Sequence, residues 1–340
     1  MSLFSLSSFR LLAPLALALG ALSASAENAP KAPPKDAPKE FRLGYFANLT
    51  HAQAVLGVES GAFAKAVAPA KFDTKVFNAG PSLIEALFAG EIDIGYVGPT
   101  PAINAWSKSK GKGIRVISGA AANGVIIVAG PNSGIKTLAD LKGKKIATPQ
   151  LGNTQDIAAK WYVKNVLKQD DTDNIIPIPN AEQANLLKRG DIDAAWSPEP
   201  WATRLIKEGG ATAIAEEKDL WKSADNSGEF SLTLVVTTPE FLAAHPETVK
   251  AFLAEHQRLT AELVKDPAKQ VNALANGISK ASGKSISRVL VAEALPHVKF
   301  TNDPLPATLA VQAQWAFDTK VLKDKVKLEG FVVKVPEAAK

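Results

Sequence analysis

Four loops of this chain carry polar side chains where helices should begin. Asn48, Thr50 and His51 form one set, Thr100 a second, and Asn153 with Thr154 a third. Glu199, flanked by Trp196 and Trp201, belongs to the fourth. Such residues do hydrogen-bonding chemistry. A helix start presents free N–H groups and the positive end of its dipole, which suits an anion. His51 adds a ring N–H. The two indoles could form a stacking wall, with the Glu199 carboxylate accepting from a ligand amine. Each residue also has an ordinary structural use: Asn and Thr cap helices, a single His is commonly structural, and Trp packs beneath loops. Ligand contact is therefore expected only if the four helix starts converge. None of these loops contains Lys or Arg, so neutralisation of an anion by an ion pair is not expected.

The residue inventory excludes several other chemistries. The chain has no Cys, which removes disulfides, thiolate metal sites, cysteine nucleophiles and a lipid-bearing cysteine anchor. Its four His, at 51, 245, 256 and 297, are scattered without metal-ligand spacing. No catalytic residue, cofactor or metal is expected. A net charge of +5, spread over 340 residues, does not argue for nucleic acid. The content of 46% hydrophobic and 21% charged residues is that of a globular protein, and the length suits about two domains.

The elements that must position the loops contain a repeat. Gly90-Glu91-Ile92-Asp93-Ile94-Gly95-Tyr96 recurs as Gly190-Asp191-Ile192-Asp193-Ala194-Ala195-Trp196. Each copy follows an amphipathic helix that Gly can terminate, and continues as a short buried strand. Each then enters a Pro-containing loop, Gly98-Pro99-Thr100-Pro101 or Ser197-Pro198-Glu199-Pro200, and a second helix. A weaker parallel links Phe41–Phe46 and its polar loop to Lys145–Thr148 and Gln150–Thr154.

Strand-like runs at 41–46, 75–77, 92–97, 114–119, 125–129, 145–147, 175–178, 192–196 and 232–236 alternate with helix-like stretches. The latter lie near 51–65, 81–89, 100–107, 137–141, 154–167, 181–188 and 199–208, and helices dominate after about 239. The alternation predicts an α/β fold of βαβ units. In open sheets of that kind, ligands bind beyond the carboxyl ends of the strands, where all four polar loops fall.

Residues 1–26 read as a cleaved secretory signal: Arg10, an apolar run over Leu11–Leu22, and Ala24-Ser25-Ala26 before the cut. Residues 27–40, with four Pro and three Lys, read as an extended linker. Export without a lipid anchor predicts a freely diffusing periplasmic protein.

The segments FRLGYF and NLTHAQAVLG, GEIDIGYVGPTPA, KTLADLKGKKIATPQLGNTQD and GDIDAAWSPEPWA together resemble ABC-transporter periplasmic solute-binding proteins. The group is the nitrate/sulfonate/taurine (NitT/TauT, SsuA-like) family, and the resemblance covers about residues 40–330. It implies a type II periplasmic binding protein fold, two α/β lobes joined by two crossover strands near 122–128 and 229–235. Residues 41–124 and 233–330 would form one lobe and 125–232 the other. It also implies ligand contacts at Asn48, Thr50, His51, Gly80, Pro81, Thr100, Gly152, Asn153, Thr154 and Glu199. Gly80 and Pro81 rest on the FNAGPSLIEAL match alone.

The implied activity is capture of a small organic or inorganic anion, sulfonate or taurine ahead of nitrate or bicarbonate. A monomer would deliver it to an ABC permease driven by its ATPase. Glu199 and its two Trp keep an amine-bearing, cationic or thiamine-precursor ligand open. Pyrimidine-synthesising thiamine enzymes share the implied fold, but they act inside the cell with a cofactor lysine and a histidine. The export signal and the scattered His oppose that reading.

Overall fold

In the computed structural model, which describes residues 33–221 and 228–335, the alternating segments fold into two separate sheets. The expected signal segment 1–26 lies outside the described residues. The strands are β1 (Glu40–Phe46), β2 (Lys71–Phe77), β3 (Ile94–Val97), β4 (Arg115–Asn123), β5 (Val125–Ala129) and β6 (Ile146–Thr148). They continue with β7 (Ile175–Pro177), β8 (Ala194–Pro198), β9 (Thr212–Glu216), β10 (Ser231–Thr237) and β11 (Val298–Phe300). One sheet has the order β11-β4-β10-β3-β1-β2, the other β7-β6-β8-β5-β9.

The repeat occupies equivalent places in the two sheets. β1 lies parallel to β2 and β3, and β6 lies parallel to β7 and β8. The repeated Asp explains why the motif recurs. The backbone N–H of Arg42 donates to Asp93 Oδ2 at 2.7 Å, and that of Lys145 donates to Asp193 Oδ2 at 2.8 Å. Each carboxylate thus pins the start of its repeat strand to the first strand of the βαβ unit.

The chain passes from the first sheet to the second at Asn123 and Gly124, both at positive φ (60° and 83°). It returns just before β10. The two passages are tied together: Asn123 N–H donates to Phe230 O at 2.9 Å, and Phe230 N–H donates to Asn123 Oδ1 at 3.0 Å.

Helices cover both sheets. They are α1 (Ala52–Glu59), α2 (Ala62–Ala66), α3 (Gly80–Phe88), α4 (Pro99–Lys108), α5 (Thr154–Asn165), α6 (Asn180–Arg189) and α7 (Trp201–Gly209). After them come α8 (Glu217–Leu220), α9 (Pro239–Ala244), α10 (Pro246–Lys265), α11 (Val271–Ser282), α12 (Arg288–Ala294) and α13 (Pro306–Asp318). Phe41 of β1, Phe63 of α2 and Phe252 of α10 meet in one core, with the Phe63 and Phe252 rings 4.5 Å apart. A second core joins the lobes. There Trp315 of α13 packs against Trp221, Phe230 and Trp161 of α5, with centroids 4.2, 5.1 and 5.5 Å away.

The structure departs from the sequence reading in four places. The helix expected over 51–65 breaks at Gly61, whose φ of 67° ends α1 in a left-handed turn. β2 starts at Lys71 rather than Lys75, because an edge strand with alternating exposed Lys and Asp shows little apolar signal. β9 and β11 were not expected; both are short edge strands. The end of the segment read as linker is fastened. Asp36 caps α10, its carboxylate accepting from Glu247 N–H (2.7 Å), Thr248 N–H (2.9 Å) and Thr248 Oγ1 (2.8 Å). No described helix is long and apolar enough to cross a membrane.

Candidate functional site

The carboxyl ends of β1, β2, β3, β6, β7 and β8 point at one cavity between the sheets. Phe46, Asn48, Thr50 and His51 reach it from the turn after β1, and Asn78, Ala79 and Gly80 from the start of α3. Gly98 and Pro101 of the β3–α4 junction complete that side. Pro149, Asn153, Thr154 and Gln155 face them from the start of α5, with Asn180 of α6 and Pro198 of β8. Leu232 and Thr233 of β10 close the back. The free volume is about 20 Å³; one water needs about 10–15 Å³ on the same measure.

No Asp, Glu, Lys or Arg lines this cavity. Its polarity comes from helix starts. Ala79 and Pro179, which precede α3 and α6, offer no side-chain cap, so first-turn N–H groups there are not satisfied by one. α4 opens Pro99-Thr100-Pro101, so its first turn keeps the Thr100 N–H, which approaches Thr154 Oγ1. Only α5 is capped, by Asn153 Oδ1 accepting from Asp156 N–H at 2.8 Å.

His51 is buried beside Phe46, ring centres 4.3 Å apart. The Phe46 N–H donates to its Nδ1 at 3.3 Å, which puts the ring proton on Nε2. Burial lowers its pKa to about 3, so the ring is neutral and serves as a donor. Thr233 Oγ1 is buried with no hydrogen-bond partner. An unmatched buried hydroxyl costs about 1–3 kcal/mol, which makes this wall receptive to an acceptor.

The two walls already touch. Asn78 Nδ2 donates to Pro149 O at 2.8 Å, and Gln150 Nε2 to Ser82 Oγ at 2.8 Å. Leu49 N–H donates to Glu199 O at 2.9 Å. Behind the cavity, His297 Nδ1 lies 2.9 Å from Glu216 Oε1, and Lys207 2.8 Å from Glu293. The lobes are shut on each other.

Of the residues singled out from the sequence, Asn48, Thr50, His51, Gly80, Asn153 and Thr154 border the cavity. Six do not. Pro81 sits in the first turn of α3 and is not part of the lining. Thr100 lies next to the lining Pro101; its N–H approaches Thr154 Oγ1 at 3.4 Å and its own buried hydroxyl has no partner. Gly152, at φ 78°, serves the turn and donates its N–H to Asp156 Oδ2 at 2.7 Å.

The expected wall of Trp196, Glu199 and Trp201 does not line this cavity. Trp196 is buried under Tyr162 and donates to Glu217 Oε1 at 2.8 Å. Trp201 Nε1 donates across the cleft to Asn48 Oδ1 (2.8 Å) and Ala47 O (3.1 Å). The Glu199 carboxylate folds onto its own helix, accepting from Thr203 N–H (3.0 Å) and Thr203 Oγ1 (2.8 Å). Burial raises its pKa to about 7.

Sequence reasoning missed Asn78, Gln155, Asn180 and Thr233. Asn78 and Asn180 follow strands at helix starts, the pattern used for Asn153, and that pattern could have found them. Thr233 lies within a crossover strand and carries no loop signature. Among the described residues no group of three or more His, Cys, Asp or Glu is placed to hold a metal ion.

A family model described as NMT1-like family matches residues 34–278. The chain belongs to the NMT1-like family. It is 31% identical over 187 residues to a candidate binding protein of Brucella abortus (strain 2308), covering 54% of each chain. It is 28% identical over 190 residues to the taurine-binding periplasmic protein of Escherichia coli (strain K12), again covering 54% of each. The chain spans about half the length of these relatives. The alkanesulfonate-binding protein SsuA of Xanthomonas axonopodis pv. citri, solved bound to MOPS, superposes with a TM-score of 0.71. The alignment covers 87% of this chain and 99% of that one at 21% identity, and it shows the shared periplasmic binding protein fold. The resemblance read from the sequence is borne out.

Proposed function

We propose that this NMT1-like protein is the periplasmic substrate-binding component of an ABC importer, capturing a small oxyanion of the sulfonate class between its lobes. One observation carries the reading. A cavity at the convergence of four helix starts is lined by neutral donors and by no charged side chain. Such a site attracts negative charge through dipoles and N–H groups. Each helix start contributes roughly 0.3–1 kcal/mol, and each charge-assisted hydrogen bond about 1.5–3 kcal/mol. Three or four such bonds reach the −8.2 kcal/mol or so of a micromolar complex.

The donors would be His51 Nε2–H, the Thr50 and Thr233 hydroxyls, the Asn180 amide and the backbone N–H groups opening α3. They come from both lobes, so a ligand touching all of them binds the shut form better and shifts the population towards it. The shut form is what a permease would recognise. Capture proceeds without chemistry: His51 is too weak a base at neutral pH to activate anything, and Glu199 is committed to its helix. The expected export signal would deliver the protein, as a monomer, to the periplasm. Isothermal titration with ethanesulfonate, taurine, nitrate and a quaternary ammonium control tests the reading. Micromolar binding of a sulfonate is expected; binding of the cation alone, or of no anion, refutes it.

A further inference from the structure

The net charge of +5 is gathered on one face of the folded molecule. The end of α4 and the turn after it carry Lys108, Lys110 and Lys112, followed by Arg115. The segment that leaves α13 carries Lys320, Lys323, Lys325 and Lys327, with Lys334 beyond. Trp106 joins the two stretches. Its Nε1 donates to Lys327 O at 2.8 Å, its ring packs on Phe331 with centres 5.3 Å apart, and the Arg115 guanidinium lies 5.1 Å from it. Val116 N–H donates to Phe331 O, and Val333 N–H to Val116 O, both at 2.9 Å. Residues 106–115 and 318–334 hold nine of the 39 Lys and Arg but only three of the 34 Asp and Glu, which leaves 30 cations against 31 acids elsewhere.

All eight lysines are exposed, and none forms an ion pair among the described residues. Of the three acids, Asp318 is engaged by Trp161 Nε1 (2.9 Å) and Gln314 Nε2 (2.7 Å). Phe88 of α3 is 47% exposed and stands beside them: a Cβ on Gly113 would lie 3.2 Å from its ring. Glu85 on the same helix is exposed too, so the aromatic marks the rim of the basic face. The face is remote from the cleft. α4 starts at the cavity wall and ends here, about 15 Å away along its axis. β4 starts here and ends, roughly 27 Å on, at the crossing between the lobes.

We propose that this face is a docking surface for an anionic lipid bilayer, which it holds with the cleft clear of lipid. The inference does not depend on which ligand the cleft takes. Chemistry separates lipid from an acidic protein as the partner. Protein interfaces favour Arg and are poor in Lys. Here the one Arg is engaged: Arg115 donates to Gly111 O (3.1 Å) and Ile114 O (2.7 Å) and lies against the Trp106 ring. The eight ammonium groups are point charges on long stems, without the planar fork that matches a fixed carboxylate. Fluid anionic head groups rearrange to meet such charges. Phe88 offers an aromatic ring to the interfacial zone beside them.

Co-sedimentation of the full chain with phosphatidylcholine vesicles, with and without phosphatidylglycerol, tests the proposal. Binding should be at least tenfold stronger with phosphatidylglycerol present. It should be lost when salt rises from about 0.1 M to about 1 M, which shortens the screening length from about 10 Å to about 3 Å. The triple change Lys108→Glu, Lys112→Glu and Lys323→Glu should weaken binding at least tenfold. Lys65→Glu, Lys142→Glu and Lys284→Glu together make the same change in charge at exposed lysines elsewhere, and should weaken it less than threefold. Residues 1–32 are the same in both triples, so the difference between them reads the folded face alone. All these lysines are exposed, so the core of each variant is unaltered. Equal binding to the two vesicle types, or two triples that weaken alike, overturns the proposal. Capture by polyglutamate with no binding to vesicles also overturns it, and gives the face to an acidic protein.

Discussion

Replacing Gly98 with alanine should hold the two lobes apart while leaving each lobe intact. Gly98 precedes α4 with φ −66° and ψ 153°, a conformation that alanine adopts freely. Its difficulty is across the cleft. A Cβ at this position would lie 2.4 Å from Thr154 Oγ1 and 3.4 Å from Thr154 Cβ, against ordinary contact from 3.4 Å. Thr154 is buried and β-branched, so turning its side chain exchanges a hydroxyl for a methyl. The walls must separate by about 1 Å, which breaks the approach of Thr100 N–H to Thr154 Oγ1 and stretches every bond that a ligand makes to both sides. Losing one such bond costs about 1.5–3 kcal/mol, or roughly 10- to 150-fold in affinity. Calorimetry would read the affinity, and thermal unfolding without ligand would read the fold. In a Thr154→Ala background the same Gly98→Ala change should cost less than threefold, because the obstacle is gone. Affinity within threefold of the parent for the single variant, or a melting temperature several degrees lower, would refute the reasoning.

Other consequences follow from the buried polar groups. Thr233→Val removes a buried hydroxyl without a partner; the ligand-free protein should gain about 1 kcal/mol in a urea titration while ligand affinity falls about tenfold. Burial raises the Glu217 pKa from 4.5 to about 7, so the folded state holds that proton more tightly than the unfolded state. This contribution is complete below pH 4.5 and is lost as the pH rises through 7, at about 1.4 kcal/mol per unit, or roughly 3 kcal/mol in all. Glu217→Gln keeps an acceptor for Trp196 and should unfold at higher urea than the parent at pH 8, with no gain at pH 4. Ligand affinity should be flat between pH 8 and 9, above the values near 7 to which burial raises Glu199 and Glu217, since His51 titrates near 3 and no carboxylate or amine lines the cavity; a tenfold swing in calorimetry over that range would contradict the donor set.

The parts of the fold carried by local pattern were legible. The Gly-x-Ile-Asp repeat marked two equivalent strands, and its Asp proved to be the residue that pins each to the first strand of its unit. The short polar residues at helix starts led to Asn48, Thr50, His51, Asn153 and Thr154, five of the seventeen residues that line the cavity. What failed was the destination of long side chains. Glu199 could face a ligand or cap its own helix, and the choice depends on Thr203, four residues on, presenting both a hydroxyl and an N–H. Trp196 lies within the buried strand β8 and is drawn under Tyr162, a contact that no spacing reveals. Thr233 belongs to a strand passing behind the cavity, so its role depends on how two sheets meet. The edge strands β9 and β11 escaped notice because edges need little apolar patterning.

A crystal structure of the full chain grown with propanesulfonate tests the central claim most directly. The account expects the sulfonate head between the lobes, its oxygens about 2.7–3.2 Å from His51 Nε2 and the Thr233 hydroxyl. No Lys or Arg should touch it. A sulfonate bound elsewhere, or one paired with a lysine or arginine that moves into the cavity, would contradict it.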